Sequence, residues 1–389
     1  MFFRIHLLLA LLLLASCQPE SEVKDEAVIE KKTAAWTRTD WPLARGGGGL
    51  SGTVGDAIIS EPELAWSFST EGPILGEAIV SGNAVIFGND LGILHVLDNR
   101  TGELIWKKEY EDAIEAAPAV HGSTLFIGCQ DSFLYALDLA TGEEKWKVET
   151  DDKITAGVNL IPSPNGSEVW VILNGYDGAC RALRATDGKQ MWIYKTNEYI
   201  NGTPAIVEGS KVVFGGCDRV LYSLDVATGK PHETIQTDAE IVSTVATSGT
   251  FVAWGNYGNE VLAADVETGK RIWRYTDRRF PFMSAPAINA TAVFIGSRDK
   301  KLHAISRADG SPIWQFKTGG RVESSPLLFN DAVLCASTDG RLYALGLEKG
   351  DEIWRLDLGE GMVAAPSFAN GTIYLGGEDG TLFAIREKE

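Results

Sequence analysis

Asp138-Leu139-Ala140-Thr141-Gly142-Glu143-Glu144-Lys145-Trp146 reads as the end of one strand, a tight turn and the start of the next. Variants recur along the chain as Asp98…Thr101-Gly102…Trp106, Thr186-Asp187-Gly188…Trp192, Asp265…Thr268-Gly269…Trp273, Asp309-Gly310…Trp314 and Lys349-Gly350…Trp354. Asp225…Thr228-Gly229 is followed by Glu233 where the others place Trp, and Trp66 has the surroundings (Leu64-Ala65-Trp66) without the turn. The slots at 66, 106, 146, 192, 233, 273, 314 and 354 are separated by 40, 40, 46, 41, 40, 41 and 40 residues. A fixed period of this size marks a repeat architecture.

Within 114–148 four short apolar runs are visible, at 114–120, 124–128, 133–137 and 144–148, with turn residues between them. No connection is long enough for a crossover helix, so neighbouring strands run antiparallel. The Asp138 carboxylate can accept hydrogen bonds from backbone N–H groups ahead of it. Gly142 supplies the positive φ that closes the hairpin without Cβ strain. The Trp four residues later stands on the outermost strand and can lie flat between adjacent sheets. Truncating a packed Trp to Ala costs about 3–5 kcal/mol.

The first strand of each repeat carries pairs of mostly small residues: Gly76-Glu77, Ala116-Ala117, Ala156-Gly157, Gly202-Thr203, Ser243-Thr244, Ser284-Ala285, Ser324-Ser325 and Ala364-Ala365. Small residues inside and Trp outside describe a wedge, and wedges arranged radially make a β-propeller. Seven four-strand units run from residue 74 to about 356; three further runs, 362–368, 372–376 and 381–385, then end the chain. The missing strand is 64–69, which carries Trp66. The expected fold is therefore all-β, an eight-bladed propeller of four-stranded antiparallel blades, closed when the N-terminal strand 64–69 joins the C-terminal blade and leaves no free edge. An open β-solenoid would not need the split repeat.

The chain has 389 residues and a net charge of −18, with 35 Lys+Arg against 53 Asp+Glu. Such acidity opposes nucleic-acid binding, which needs Lys and Arg to neutralise phosphates. Arg4 and the apolar run 7–15 form a signal-like segment, too short to span a bilayer as a mature anchor. It ends Leu14-Ala15-Ser16-Cys17, which resembles the lipobox of bacterial lipoproteins and makes Cys17 the lipidated residue. Gln18 rather than Asp follows, which by the sorting rule of enteric bacteria points to the outer membrane. The expected organisation is a lipoprotein signal over 1–16, a tether and Trp-Pro-x-x-Arg-Gly segment over 17–63, and the propeller over 64–389. Trp41-Pro42-Leu43-Ala44-Arg45-Gly46 either docks on the ring surface or its axis, or is part of a Gly-rich linker.

Chemistry-bearing patterns are few. Cys129, Cys180, Cys217 and Cys335 lie in separate repeats, with no C-x-x-C or vicinal pair, and read as buried free thiols. His95 and His303 occupy a strand position held elsewhere by Tyr135, Tyr222, Tyr343 and Phe383, and read as packing substitutes. No zinc-ligand spacing, nucleophile elbow or phosphate loop appears, so no catalytic residue and no metal ligand is assigned. Glu77, Glu115 and Glu323 are the candidate axial carboxylates. The loop 277–283 differs from its equivalents: Arg278, Arg279, Phe280 and Phe282 match the composition of binding hot spots. These four are the candidate partner-binding residues, and the alternative is that the Phe side chains tuck against a neighbouring blade. Trp66, Trp106, Trp146, Trp192, Trp273, Trp314 and Trp354 are expected to dock blade on blade.

The repeats Leu134-Tyr135-Ala136-Leu137-Asp138…Thr141-Gly142…Trp146 and Leu342-Tyr343-Ala344-Leu345…Gly350…Trp354 resemble the PQQ-like (quinoprotein) β-propeller repeat over roughly residues 64–385. That resemblance implies one of two occupations. One is a PQQ-dependent dehydrogenase holding the quinone and Ca²⁺ on the axis. The other is a non-catalytic scaffold, BamB-like, that binds protein partners in the cell envelope. The vicinal disulfide that stacks on the quinone has no counterpart here, and the blades are close to minimal length. The expectation is a non-enzymatic lipid-anchored scaffold of the outer membrane, facing the periplasm, without PQQ and without nucleic acid. A small-ligand or carbohydrate sensor is the further alternative.

Overall fold

In a computed structural model, residues 40–277 and 279–388 are described. The signal-like segment, Cys17, the residues up to 39 and Arg278 lie outside them. Each apolar run of the repeat becomes one strand. In blade 2 these are Ala119–His121, Thr124–Gly128, Phe133–Asp138 and Glu144–Glu149, paired antiparallel in that order from axis to rim. The two middle strands are almost wholly buried. Neighbouring blades cover both their faces, which is why they read as continuous apolar runs rather than alternating ones. The outer strand Glu144–Glu149 alternates toward solvent.

There are eight such sheets. Blades 1 to 7 each take four consecutive strands. Blade 8 takes Ser367–Ala369, Thr372–Gly376 and Thr381–Glu387 and is completed by Pro62–Ser69. Leu64 stands opposite Ile385 and Phe68 opposite Leu382, so the ring is closed by backbone pairing between the two ends of the fold. The architecture is the eight-bladed β-propeller anticipated from the period.

The Trp slots are sockets between blades. Trp106 Nε1 donates to Leu139 O at 3.1 Å, Trp146 to Ala185 O at 3.1 Å, Trp192 to Val226 O at 2.7 Å, Trp273 to Arg307 O at 2.8 Å and Trp314 to Leu347 O at 2.8 Å. Every acceptor belongs to the turn of the next blade. Trp354 has no such turn ahead of it, and donates to Ile59 O at 2.7 Å instead. Trp66 faces Gly102 of blade 1. In every blade the pairing of third and fourth strands slips at the residue before the Trp slot, as between Ala136 and Leu137. Such a bulge re-aims the following side chain. It turns the indole toward the next blade and leaves Ile105, Ile272, Ile313 and Ile353 exposed. In blade 4 the Glu233 carboxylate takes the Trp position over Gly269.

Residues 40–61 form a belt over one face of the ring. Trp41 pairs with Val80 of blade 1 through two backbone bonds of 2.8 and 3.0 Å. Pro42 O then accepts from Val120 N in blade 2, and Gly48 O from Asn159 Nδ2 in blade 3 and Ile206 N in blade 4. Gly49 O accepts from Thr247 N, Ser51 O from Ile288 N and Gly52 O from Leu328 N, in blades 5, 6 and 7. The chain then enters blade 8 as strand Pro62–Ser69. The glycine run has a steric reason: a Cβ on Gly49 would meet Thr247 Oγ1 at 3.1 Å, and one on Gly48 would meet Ile206 Cβ at 3.4 Å. Of the two readings of Trp41–Gly46, docking on the axis is the one observed, and the segment from residue 40 onward is part of the ring rather than of a linker.

Candidate functional site: an axial funnel and its rim

The loops from each outer strand to the next inner strand, and the turns between second and third strands, meet on the face opposite the belt. At the centre of that face is a cavity of about 710 Å³ whose lining includes Lys153, Tyr176, Asn201, Cys217, Glu240 and Tyr257. A narrower cavity of about 190 Å³ shares Glu115, Thr155 and Asn201 with it and continues along the axis. Its wall is built from the small first-strand residues, among them Gly76, Ala117, Gly157, Thr244, Ala285 and Ser325. Crowding there is tight: a Cβ on Gly76 would lie 2.5 Å from Glu115 O.

The belt closes the far end. Trp41 is fully buried and donates through Nε1 to Glu77 Oε1 at 2.5 Å. Arg45 N donates to both Glu77 oxygens, at 2.9 and 3.1 Å, and Arg45 Nη2 donates to Pro286 O at 3.1 Å on the other side of the axis. Arg45 holds φ 55°, the left-handed region that costs a side-chain-bearing residue. Burial pushes the Glu77 carboxyl up to about 7, against the pull of the Arg45 charge. Burial likewise lowers Arg45 to about 10, although Glu77 opposes it. The axial passage is thus a blind funnel, floored by a buried Arg–Glu pair.

Aromatic side chains crown its rim. Tyr176 and Tyr199 stack at 4.3 Å, and Lys153 Nζ lies 4.7 Å above the Tyr176 ring. Tyr199 is 46% exposed, Tyr257 48% and Phe280 45%. Arg279 is exposed as well. Phe282 is not on this surface. It is 1% exposed and packs edge-on against Tyr275 and His303 at 6.2 and 5.1 Å, so apolar burial removes it from the proposed contact set. Arg278 lies outside the described residues. In the sequence Tyr176 and Tyr257 each sit alone in a short turn; only the closed ring brings them to one opening.

Of the candidate axial carboxylates, Glu77 forms the floor and Glu115 lines the throat. Glu323 is engaged by Arg298 and by Arg321 at 3.7 Å. The histidines pack as expected. His95 stacks on Phe87 at 5.0 Å; His303 is buried between Tyr275 Oη at 3.0 Å and Asp299 at 3.2 Å. Where that strand position holds Tyr or His303 it is tied to an Asp four residues earlier, as in Tyr135–Asp131 at 2.7 Å and Tyr343–Asp339 at 2.8 Å, whereas the residue four before His95 is Leu91 and His95 meets Ile93 O at 3.1 Å. Blade 3 fills it with Arg181, buried against Asp177, a substitution that the aromatic pattern hid and the recurring Asp could have revealed. Asp277, Asp299 and His303 approach closely enough for a metal, but Lys301 Nζ already stands 3.0 and 3.6 Å from the two carboxylates as their cation. Cys129, Cys180, Cys217 and Cys335 are free thiols, Cys217 half-buried at the funnel mouth.

The family described as "Outer membrane protein assembly factor BamB" matches residues 52–275 and 281–389. A relative of that description from Burkholderia pseudomallei is 28% identical over 173 residues, 40% of this chain and 44% of the relative. The chain matches less than half the length of each such curated relative. Among solved structures, BamB from Moraxella catarrhalis superposes with a TM-score of 0.68 at 22% identity, covering 84% of this chain and 98% of that one. Quinohemoprotein alcohol dehydrogenase from Comamonas testosteroni superposes at 0.74 with 16% identity, covering 92% and 82%. Both likenesses are of fold.

Proposed function

The chain belongs to the outer membrane protein assembly factor BamB family, and from that premise we propose that it is a non-catalytic scaffold of the bacterial envelope that binds protein partners during outer-membrane protein assembly. Cys17 carries its lipid anchor, and the ring faces the periplasm from the outer membrane. The observation that carries the scaffold reading is the rim: Tyr199, Tyr257 and Phe280 present large apolar rings to solvent on one face, and half-buried Tyr176 stacks against Tyr199. Exposed aromatics beside Arg and Lys are the side chains that dominate protein–protein hot spots.

A quinone cofactor fits these residues poorly. PQQ is a tricarboxylate, and the funnel mouth offers it Lys153 beside Glu115 and Glu240, with no vicinal cysteines to stack on. A fused tricyclic ring also exceeds the throat of about 190 Å³. The reading is therefore of a propeller without PQQ and without turnover.

The test is genetic and biochemical together. A strain lacking the protein should carry less folded β-barrel protein in its outer membrane. The wild-type gene should restore it. A variant with Tyr176, Tyr199, Tyr257 and Phe280 all changed to Ser should not, while melting within a few degrees of wild type. Normal barrel content in the deletion strain would overturn the assembly role, and full rescue by the variant would overturn the rim as the contact face. Cys17→Ala should release the protein from the membrane fraction.

A further inference from the structure

The joint between blades 8 and 1 is built differently from the other sockets. Blade 8 has no turn linking its third and fourth strands, because those strands come from opposite ends of the fold. Arg386 stands where Asp98, Asp138, Asp225 and Asp265 close the turns of four other blades, opposite Thr372 as Asp138 is opposite Thr124. The Trp66 socket is changed too. The backbone oxygen that should accept from its indole, Asn99 O, takes the Tyr374 hydroxyl at 2.9 Å instead. Trp66 Nε1 makes no hydrogen bond among the described residues, whereas Trp106, Trp146, Trp192, Trp273, Trp314 and Trp354 all donate.

A cleft of about 480 Å³ lies at this seam, and its lining includes Trp66, Asn99, Arg100, Tyr374 and Arg386. Sites for small molecules run from about 300 to 1,000 Å³. Three of the lining groups are open. Trp66 Nε1 is a free donor. Arg386 is half-buried and makes neither an ion pair nor a side-chain hydrogen bond among the described residues. Asn99 is 5% exposed; it spends Nδ2 on Gly82 O at 2.9 Å and leaves Oδ1 unbonded. All three reach the solvent of the cleft and are not sealed between the blades. Asn99 holds the place of Leu139, Ala185, Val226 and Leu347 in other turns, so the repeat itself does not require an amide there. The nearby acids are engaged elsewhere. Asp98 accepts from the Arg100 and Thr101 backbone N–H groups at 2.9 and 3.1 Å, and Glu387 accepts from Ser60 and Glu61 at 2.7 to 3.0 Å.

A free cation, a free donor and a free acceptor facing one cleft define their complement: an anion that also carries hydroxyls. A single hydroxyl can accept from the indole N–H and donate to Asn99 Oδ1. We propose that the seam cleft binds an anionic sugar, its carboxylate or phosphate held on Arg386 and a ring hydroxyl held between Trp66 Nε1 and Asn99 Oδ1. Arg suits either anion, since its planar fork binds the oxygens of both in pairs. The site lies on blades 8 and 1, away from the aromatic rim, and does not depend on the scaffold role.

The experiment is calorimetric titration of the purified protein with four probes. Glucuronate and glucose 1-phosphate carry both features, glucose the hydroxyls alone and acetate the charge alone. At least one of the first two should bind saturably at one site, with glucose and acetate each about tenfold weaker or worse. The tighter of the two sugars tells carboxylate from phosphate. Arg386→Gln removes the cation, and Asn99→Leu removes the amide while installing the residue that blade 2 carries at that place. Each should weaken binding by about tenfold or more and melt within a few degrees of wild type. No saturable binding of either anionic sugar, or wild-type affinity in either variant, would overturn the proposal. Equal affinity for acetate would overturn it in favour of a bare anion site, and equal affinity for glucose would remove Arg386 from recognition.

Discussion

Gly350 and Gly122 both hold a left-handed backbone, with φ 70° and 58°. Their surroundings differ. A Cβ on Gly350 would meet Trp314 Cε3 at 2.5 Å, whereas one on Gly122 would meet nothing within 4 Å. The comparison separates two jobs of one residue type. Left-handed backbone alone costs an L-residue roughly 1–2 kcal/mol. Forcing extra bulk into packed surroundings adds about 1–3 kcal/mol. Gly122→Ala should therefore cost only the first amount and Gly350→Ala both. Chemical denaturation of the two variants measures the difference directly, and equal losses would mean that the indole yields freely. The turn glycine was legible in the sequence as a conformational requirement. Its second job, as the bare surface on which the preceding blade's Trp rests, was not. That contact joins residues 36 positions apart on different sheets, and only the period hints at it.

At the scale of elements, strands and their order could be read from the sequence because each blade is built from local hairpins, whose turns announce themselves in Asp, Thr and Gly. The belt could not be read this way. Residues 40–61 have no periodicity of 2 or 3.6, since the belt bonds to a different blade every few residues and presents no constant face. Its glycines resemble a linker for the same reason that they pack closely. The rim is half legible: composition singles out the loop 277–283, but composition cannot say that Phe280 faces out and Phe282 in. The belt's anchor also makes a testable pH dependence. Glu77 has its carboxyl raised from 4.5 to about 7 by burial. A raised carboxyl means that the folded protein binds this proton more tightly than the unfolded chain does. Its contribution is fully present below pH 4.5 and is lost as pH rises through 7. The loss amounts to about 3 kcal/mol at most. Glu77→Gln removes the titration and keeps the shape. Between pH 5 and pH 8 the wild type should lose stability relative to that variant in urea melts. Parallel curves would show that Glu77 ionises in place without penalty.

The whole molecule is a ring whose two ends share one blade, and this decides how it fails. In an open repeat array each unit touches only its neighbours, so damage at one end loosens that end and spreads inward. Here blade 8 is the seam. Pro62–Ser69 pairs with Thr381–Glu387, while Trp354 of blade 7 is bonded to Ile59 just ahead of that strand and Trp66 reaches Gly102 of blade 1. Opening the seam therefore undoes sockets on both sides at once. It also frees two strand edges and lets go of the end of the belt that crosses every other blade. Ala384 is the place to test this. It is wholly buried, with Trp66 opposite on one side and Tyr374 on the other. Ala384→Asp places an unpaired charge there, which the fold cannot solvate without parting the strands. Hydrogen exchange of the variant should rise together in blade 8, in the Trp66 socket of blade 1 and in the outer strand Glu352–Asp357 of blade 7, and melting should remain a single transition at lower temperature. Exchange confined to blade 8 would mean that the sectors stand independently and that closure contributes little to holding the funnel in shape.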